Sequence, residues 1–522
     1  MAIAMDKERL FPRARPHQPI STPLSILDAT VARFSATGAI WLFDHAPEHV
    51  SEAEFVDRLR LSAVEALDDF PQWAGQLQWA PVRIPGGSHT ERFNRPMIIH
   101  GDEKDPGIEW SVVRHLRISV RSLTPSASER ASGKGVWTGD KFAQSPFLSD
   151  TVLPLHDLGK FEGLPAMQLQ LNLFNDGGYG IGVKMAHALA DAQALMVFVH
   201  HWAAKSRQLF SSTDTSASLV DAPIFNPTLL DACATGEIDG PVADPVLVSA
   251  ARKLPLHRFD WWHTNAPGYA PLLIPTTENS KPSPDNLSQV ELSPSTAAPW
   301  TTWDFARPVR YTQLHYSGAE LDSLKEQARI DSHRADISRL DALLAHIWAL
   351  INRARGHEDS TEDVFLNFTL GARTRVSPPL AESFLGSPLF LAHIMASGAS
   401  ACASSVGHIA SQIRGTMRLF TPDAMGAMLH DAAYEVSPQR LWQAFLGTQH
   451  TLVTSWLRLK VYQVDWVGSK DQPRYVHAVM PKMDGCLQVM DPGVDDGGID
   501  VALYLDADAM DKLLWIRSCM FD

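Results

Sequence analysis

His187 and Asp191 stand four residues apart in the stretch Met185-Ala-His187-Ala-Leu-Ala-Asp191. An imidazole titrates near neutral pH, so a histidine at the end of a strand can take a proton from a hydroxyl or an amine. A nearby carboxylate could orient the ring, as in a catalytic triad. Two fixed positions are weak evidence alone: a chain with 21 histidines shows about one such match by chance. Asp191 taken by itself reads as the acid of a helix's first turn, where it suits the helix dipole.

The flanking residues say what must hold His187 in place. Residues 168–174 (Gln-Leu-Gln-Leu-Asn-Leu-Phe) alternate polar and apolar, the pattern of a half-buried strand. Asn175-Asp-Gly-Gly178 is a hairpin signal, because tight turns need positive φ. Residues 181–185 return as a second strand. Ala190, Ala194, Leu195, Phe198, Val199 and Trp202 then recur at helical spacing. His187 is therefore expected at a strand-to-helix junction, where a base can reach substrate.

Other patterns carry less. His200 and His201 lie inside that helix beside Trp202 and read as surface or packing residues, so no metal site is expected. Residues 491–500, with Asp491, Asp495, Asp496 and Asp500, have the composition of a calcium loop. They lack EF-hand spacing and its terminal Glu, and a solvated hairpin between two strands is expected. Gly178, Gly180 and Gly182 follow a hairpin turn and open no helix, unlike a dinucleotide fingerprint. Gly133-Lys134-Gly135 lacks the rest of a phosphate-binding loop. No G-x-S-x-G occurs, which weakens a hydrolase reading.

With 522 residues, 45% hydrophobic and 20% charged, the composition is that of a globular chain too long for one ordinary core, so two domains are expected. The net charge of −14 argues against a general nucleic-acid or anionic-membrane binder. Cys233, Cys402, Cys486 and Cys519 are scattered without a CxxC, which fits a reducing compartment and no disulfide framework. No run of about 18 apolar residues spans a membrane, and the start carries charges where a signal peptide needs its apolar core. A cytoplasmic protein is expected.

Taken in order, residues up to about 24 are Pro-rich and read as irregular. Residues 38–43 form a strand and 51–67 a helix with Ser51 as cap. Residues 124–134 form a loop or small insertion. Polar residues 211–218 form another loop, and 266–299, rich in Pro, Ser, Thr and Asn, form a linker. Helices are expected at 318–329, 339–353, 406–420, 437–446 and from 506, with strands at 364–370, 475–479, 486–490 and 500–505. The mixture lacks a strict βαβ alternation, so the fold class is α+β, mixed sheets with helices.

Several stretches, in the same order, resemble the BAHD superfamily of acyl-coenzyme A-dependent acyltransferases, and more closely its fungal branch that includes trichothecene acetyltransferases. His187-Ala-Leu-Ala-Asp191 is similar to that family's HxxxD motif. Gly371-Ala-Arg373-Thr-Arg375-Val-Ser-Pro378-Pro379 resembles its arginine-and-proline segment, and Phe384-Leu-Gly386 its aromatic–x–glycine turn. Thr454-Ser455-Trp456 resembles its TSW-type segment, and Asp465-Trp466-Val467-Gly468 stands where the family carries DFGWG. Pro227-Thr-Leu-Leu-Asp231 and Asp341-Ala-Leu-Leu-Ala-His-Ile-Trp348 also fit. The likeness runs over residues 24–514. Two departures stand out: Ala192 replaces the glycine that follows HxxxD, and the DFGWG segment keeps only Asp465 and one glycine, Gly468.

The resemblance implies two similar-sized chloramphenicol-acetyltransferase-like domains with a channel between them. The expected boundaries are 1–265 for the domain carrying HxxxD, 266–305 for a crossover linker and 306–522 for the domain carrying the DFGWG-like segment. Coenzyme A thioester would enter as co-substrate from one side, with no permanently bound cofactor, and a small-molecule acceptor, such as a secondary metabolite, from the other. His187 would be the general base. Asp191 would support the motif by pairing with Arg373, or else Arg375. Thr454 and Trp456 would lie near the acyl oxygen or acceptor, and Asp465 and Gly468 would be structural. A monomer is the family expectation. Two other readings stay open: a condensation-like enzyme using a carrier-protein thioester, against which Ala186 replaces the usual first histidine of the motif, and a non-catalytic binding protein on the same fold.

Overall fold

The computed structural model describes all residues except 1, 5, 6, 15, 17, 33–35, 84–85, 140, 157–158, 211–220, 261–264, 270–284, 286–295, 443–444 and 520–522. The polar loop expected at 211–218 lies outside the described residues, as does most of the crossover expected at 266–305.

Two mixed sheets carry the fold, which is α+β. The first runs in the order Ala2–Ala4, Ile108–His115, Met167–Phe174, Tyr179–Met185, Thr37–Phe43 and Tyr475–Ala478, with Glu8–Leu10 also paired to Ile108–His115. The second runs Leu389–Ser397, Asp363–Gly371, His450–Ser455, Cys486–Met490, Ile499–Asp506, Val309–Tyr316 and Val136–Thr138. Each sheet is completed by a strand from the far half of the sequence. Tyr475–Ala478 lies antiparallel to Thr37–Phe43, and Val136–Thr138 lies antiparallel to Val309–Tyr316. Sliding the two halves apart would therefore break backbone ladders as well as side-chain packing.

Helix Glu52–Leu67 starts at Ser51, whose hydroxyl accepts the Glu54 N–H. It packs against helix Ala192–Phe210 over the first sheet. Phe55, Leu59 and Leu67 meet Phe198 and Trp202 in one buried cluster, and Trp202 Nε1 donates to Ser62 Oγ at 3.0 Å. On the second sheet, helix Arg339–Ala354 turns Leu343, Leu344, Ile347, Trp348 and Ile351 to the core.

Three expectations are corrected. The alternating strand, Met167–Phe174, is buried on both faces rather than one. Its polar face is covered by the chain at 146–151, whose carbonyls accept from the amide NH2 groups. Gln168 donates to Thr151 O at 3.0 Å, Gln170 to Pro146 O at 3.0 Å and Asn172 to Phe147 O at 3.1 Å. The first 24 residues are not wholly irregular: the short runs between prolines pair as Glu8–Leu10 and Ile20–Pro23. The helix expected at 437–446 is a single 3-10 turn, Pro438–Leu441, and the regular helix lies earlier, at Pro422–Tyr434. Tertiary partners override the local pattern there. Gln439 donates to Ala29 O at 2.8 Å, Arg440 pairs with Glu435 at 2.8 Å, and Phe445 packs with Trp300.

Three histidines, His257, His393 and His450, pack together where burial favours the neutral form. His257 stacks on His393 with centroids 4.0 Å apart, and His450 lies 5.7 Å from His257. Burial pushes His257 down to about 3 and His393 to about 4, and lowers His450 well below the usual imidazole range. Above the unfolded value of about 6.5 both states are neutral, so these groups give stability no pH dependence there. Below it the unfolded chain takes protons that the folded chain refuses. Melting temperature is therefore expected to fall as pH drops from 6.5 toward 4, and His257→Gln should make the fall shallower, as read by thermal denaturation across that range.

Candidate functional site

A cavity of about 320 Å³ lies where the two sheets meet, walled by Thr37, Gly38 and Val479 from the first and by Thr369, Leu389, Leu452, Thr454, Cys486 and Gln488 at the second. Register explains the second wall. Leu452 pairs with Cys486 and Thr454 with Gln488 across parallel strands, so these four side chains share one face. His187, Asp191, Arg373, Trp442 and Trp456 complete the lining.

His187 follows strand Tyr179–Met185 and opens a 3-10 turn, His187–Leu189, before helix Ala192–Phe210. The junction sets its ring against Ser387. Nδ1 is 2.9 Å from Ser387 Oγ, while that same hydroxyl donates to the His187 main-chain carbonyl. A carbonyl has no proton to give, so the hydroxyl's single hydrogen is spent on it. Ser387 Oγ can then only accept from the ring. This puts the imidazole proton on Nδ1 and leaves the Nε2 lone pair bare. Burial lowers the His187 pKa, against partial restoring pulls from its own carbonyl and from Asp191. Burial thus favours the neutral ring, the form that can accept a proton.

Asp191 does not orient that ring. It caps the helix rather than falling inside its first turn: its Oδ1 accepts the Ala194 N–H at 2.9 Å. Both oxygens are held by Arg373 in a bidentate pair, at 2.5 and 2.9 Å, with both side chains buried. Arg373 also donates to Phe384 O at 2.9 Å, and the Asp191 N–H to Gly386 O at 2.9 Å. Arg375 lies elsewhere, donating to Met417 O at 3.1 Å.

Thr454 and Trp456 reach the cavity from strand His450–Ser455 and its end. Thr454 Oγ1 is buried and has no hydrogen-bond partner among the described residues. A buried hydroxyl left unpaired costs about 1–3 kcal/mol unless something else meets it. Asp465 and Gly468 lie away from this wall. Asp465 accepts the N–H groups of Val467, Gly468 and Lys470 at 3.0, 2.8 and 3.1 Å, and Gly468 takes the left-handed φ of +77° that closes the loop. The loop buries Trp466, whose ring centroid is 4.3 Å from that of Trp202. No group of three or more His, Cys, Asp or Glu side chains fit to hold a metal occurs among the described residues. No helix among them is long and apolar enough to cross a membrane.

Sequence spacing does not single out Ser387, Trp442 or Gln488. Ser387 directly follows the Phe384-Leu-Gly386 turn, which is the only local signal for it. Trp442 sits 5.7 Å from the His187 ring by centroids, brought there by a segment 255 residues downstream in which no regular pattern survives.

Comparison with known proteins matches the chain to the Transferase family over residues 141–231 and 270–514. Acyltransferase AFT15-1 of Alternaria alternata is 25% identical over 523 residues, covering 97% of this chain and 95% of its own. Acyltransferase abl6 of Leptosphaeria maculans is 26% identical, covering 86% and 83%. Among solved structures, TRI101 of F. graminearum complexed with coenzyme A and deoxynivalenol superposes with a TM-score of 0.63 at 16% identity, over 95% of this chain and 97% of that one.

The geometry separates the two motif residues by role. Asp191→Asn leaves a buried guanidinium with half a partner, and should lower unfolding free energy by about 3 kcal/mol or more in urea titration. His187→Ala removes a ring whose one side-chain hydrogen bond among the described residues is to Ser387, and should change stability by about 1 kcal/mol. Equal losses in the two variants would contradict this division.

Proposed function

This chain belongs to the Transferase family, the BAHD acyl-coenzyme A-dependent acyltransferases, and on that footing we propose that it acylates a hydroxyl of an uncharged small-molecule acceptor of secondary metabolism, with His187 as general base. The observation that carries this reading is two residues lining one cavity: His187, whose ring meets Ser387 through Nδ1, and Thr454, whose buried hydroxyl has no partner among the described residues.

A thioester carbonyl is already activated, so no covalent acyl-enzyme is needed. His187 Nε2 takes the proton of the acceptor hydroxyl as that oxygen attacks the acyl carbonyl. Charge develops on the carbonyl oxygen, and the Thr454 hydroxyl is the donor on hand to meet it. Collapse of the tetrahedral intermediate breaks the C–S bond. The imidazolium then returns its proton to the departing coenzyme A thiolate. Asp191 and Arg373 stay outside the proton path and hold the turn that aims the ring.

The lining also speaks to the acceptor. Trp442, Trp456, Leu389, Leu452, Val479 and Met480 make most of the wall apolar. Among the described lining residues the full charges, Asp191 and Arg373, are spent on each other. An acceptor with a free carboxylate or ammonium would bury that charge without a counter-ion, at a cost of several kcal/mol.

Calorimetric titration with free coenzyme A tests the reading without a guess about acyl group or acceptor. Saturable binding is expected; none at millimolar ligand would shift the donor to a carrier-protein thioester or the role to binding alone. With an accepted alcohol, thiol release should fall at least about 100-fold in His187→Ala. Thr454→Val should leave the melting temperature unchanged or slightly higher, while turnover falls about 10- to 100-fold. Full turnover in the valine variant would remove Thr454 from the oxyanion role.

A further inference from the structure

Behind His187 stands a second carboxylate that no catalytic motif marks. Asp28 lies in the short buried helix Ile26–Thr30 and is itself 1% exposed. One of its oxygens accepts the Ser387 N–H at 2.5 Å. The other accepts the Ser25 N–H at 3.0 Å and the Ser25 hydroxyl at 2.6 Å. The carboxylate thus joins the start of this helix to the residue whose hydroxyl accepts from His187 Nδ1.

The approach is close enough to dictate its neighbour. A Cβ on residue 386 would lie 2.9 Å from Asp28 Oδ1, and the backbone there has a φ of +130°, so glycine is required on both counts. Gly386 in turn gives its carbonyl to the Asp191 N–H. The helix is anchored from its other side as well. Its Ile26 N–H donates at 2.8 Å to Asp231, whose second oxygen meets His89 Nε2 at 3.0 Å. Four separate stretches of chain therefore fix the position of one serine hydroxyl.

We infer that Asp28 and Ser387 are positioning residues for His187: Asp28 holds the Ser387 backbone so that the serine hydroxyl, already committed to the His187 carbonyl, can only accept the Nδ1 proton, which keeps Nε2 as the base. The inference rests on the reading of His187 as general base. It also explains why an acidic side chain is kept in a place that penalises its charge. Burial pushes Asp28 up to about 7 against the pull of the Ser25 hydroxyl and the Ser387 and Ser25 N–H groups. Both backbone N–H contacts require an acceptor. An amide at this position would turn its NH2 toward a backbone N–H.

The test is the tautomer itself, read by NMR of protein labelled with [15N]histidine, with the His187 signals assigned by their loss in His187→Gln. In the unaltered protein at neutral pH the ring should carry its proton on Nδ1, with Nε2 unprotonated. Ser387→Ala and Asp28→Asn should each shift the ratio toward the Nε2–H form by about three- to tenfold, the effect of losing one ordinary hydrogen bond. Ser387→Ala leaves the Asp28 contacts to Ser25 in place and should fold. A purely structural role would lower melting temperature without moving the ratio. An Nε2–H ring in the unaltered protein, or an unchanged ratio in folded Ser387→Ala, overturns the inference. Neither readout needs acyl transfer, so a failure to bind coenzyme A would count against the proposed function and leave this result standing.

Discussion

Asp191 and Arg373 are 182 residues apart in sequence and meet as a buried bidentate pair. Asp191 ends the turn that carries His187 and begins the helix over the first sheet. Arg373 follows the strand Asp363–Gly371 of the second sheet. Two buried charges in this place are costly alone and tolerable only together. The requirement fixes the distance between the two sheets at the point where the cavity lies. The catalytic-looking carboxylate of the motif is thus a structural part, and its chemistry is that of a clamp.

The rest of the site follows from what the clamp brings together. The segment after Arg373 returns through Phe384, whose carbonyl it binds, to Gly386 and Ser387. Those residues supply the bond to the Asp191 main chain and the acceptor for His187 Nδ1. Strand Tyr475–Ala478 crosses into the first sheet and brings Val479 and Met480 to the opposite wall. Trp466, packed against Trp202 and Trp41, secures the loop leading to that crossing strand without touching the cavity. In the segment at 465–469 Asp465 closes its own loop by accepting backbone N–H groups.

What could be read from the sequence was local. The hairpin, the strand-to-helix junction and His187 at its hinge follow from alternation, a glycine turn and helical spacing, and the ordered motifs name the family. Arg373 was legible only through that resemblance, because nothing in its own neighbourhood calls for an acid. Ser387 and Asp28 were not legible. Each acts through one contact set by tertiary approach, and a serine or aspartate near a glycine or a short helix is an ordinary sight in any chain. The same limit explains the strand 167–174, where the polar residues suggested solvent but face carbonyls of a covering segment. It also explains residues 437–446, where hydrogen bonds to distant carbonyls displaced the expected helix.

The central claim is a neutral imidazole with Nε2 open to the cavity proposed to receive the coenzyme A thioester. Carbethoxylation by diethyl pyrocarbonate tests it most directly, since that reagent reacts with an unprotonated imidazole nitrogen, and peptide mass spectrometry reports each histidine separately. The account predicts that His187 is modified at neutral pH and that coenzyme A protects it saturably, while histidines away from the cavity react at the same rate with and without ligand. An inert His187, or one whose modification coenzyme A does not slow, would contradict it.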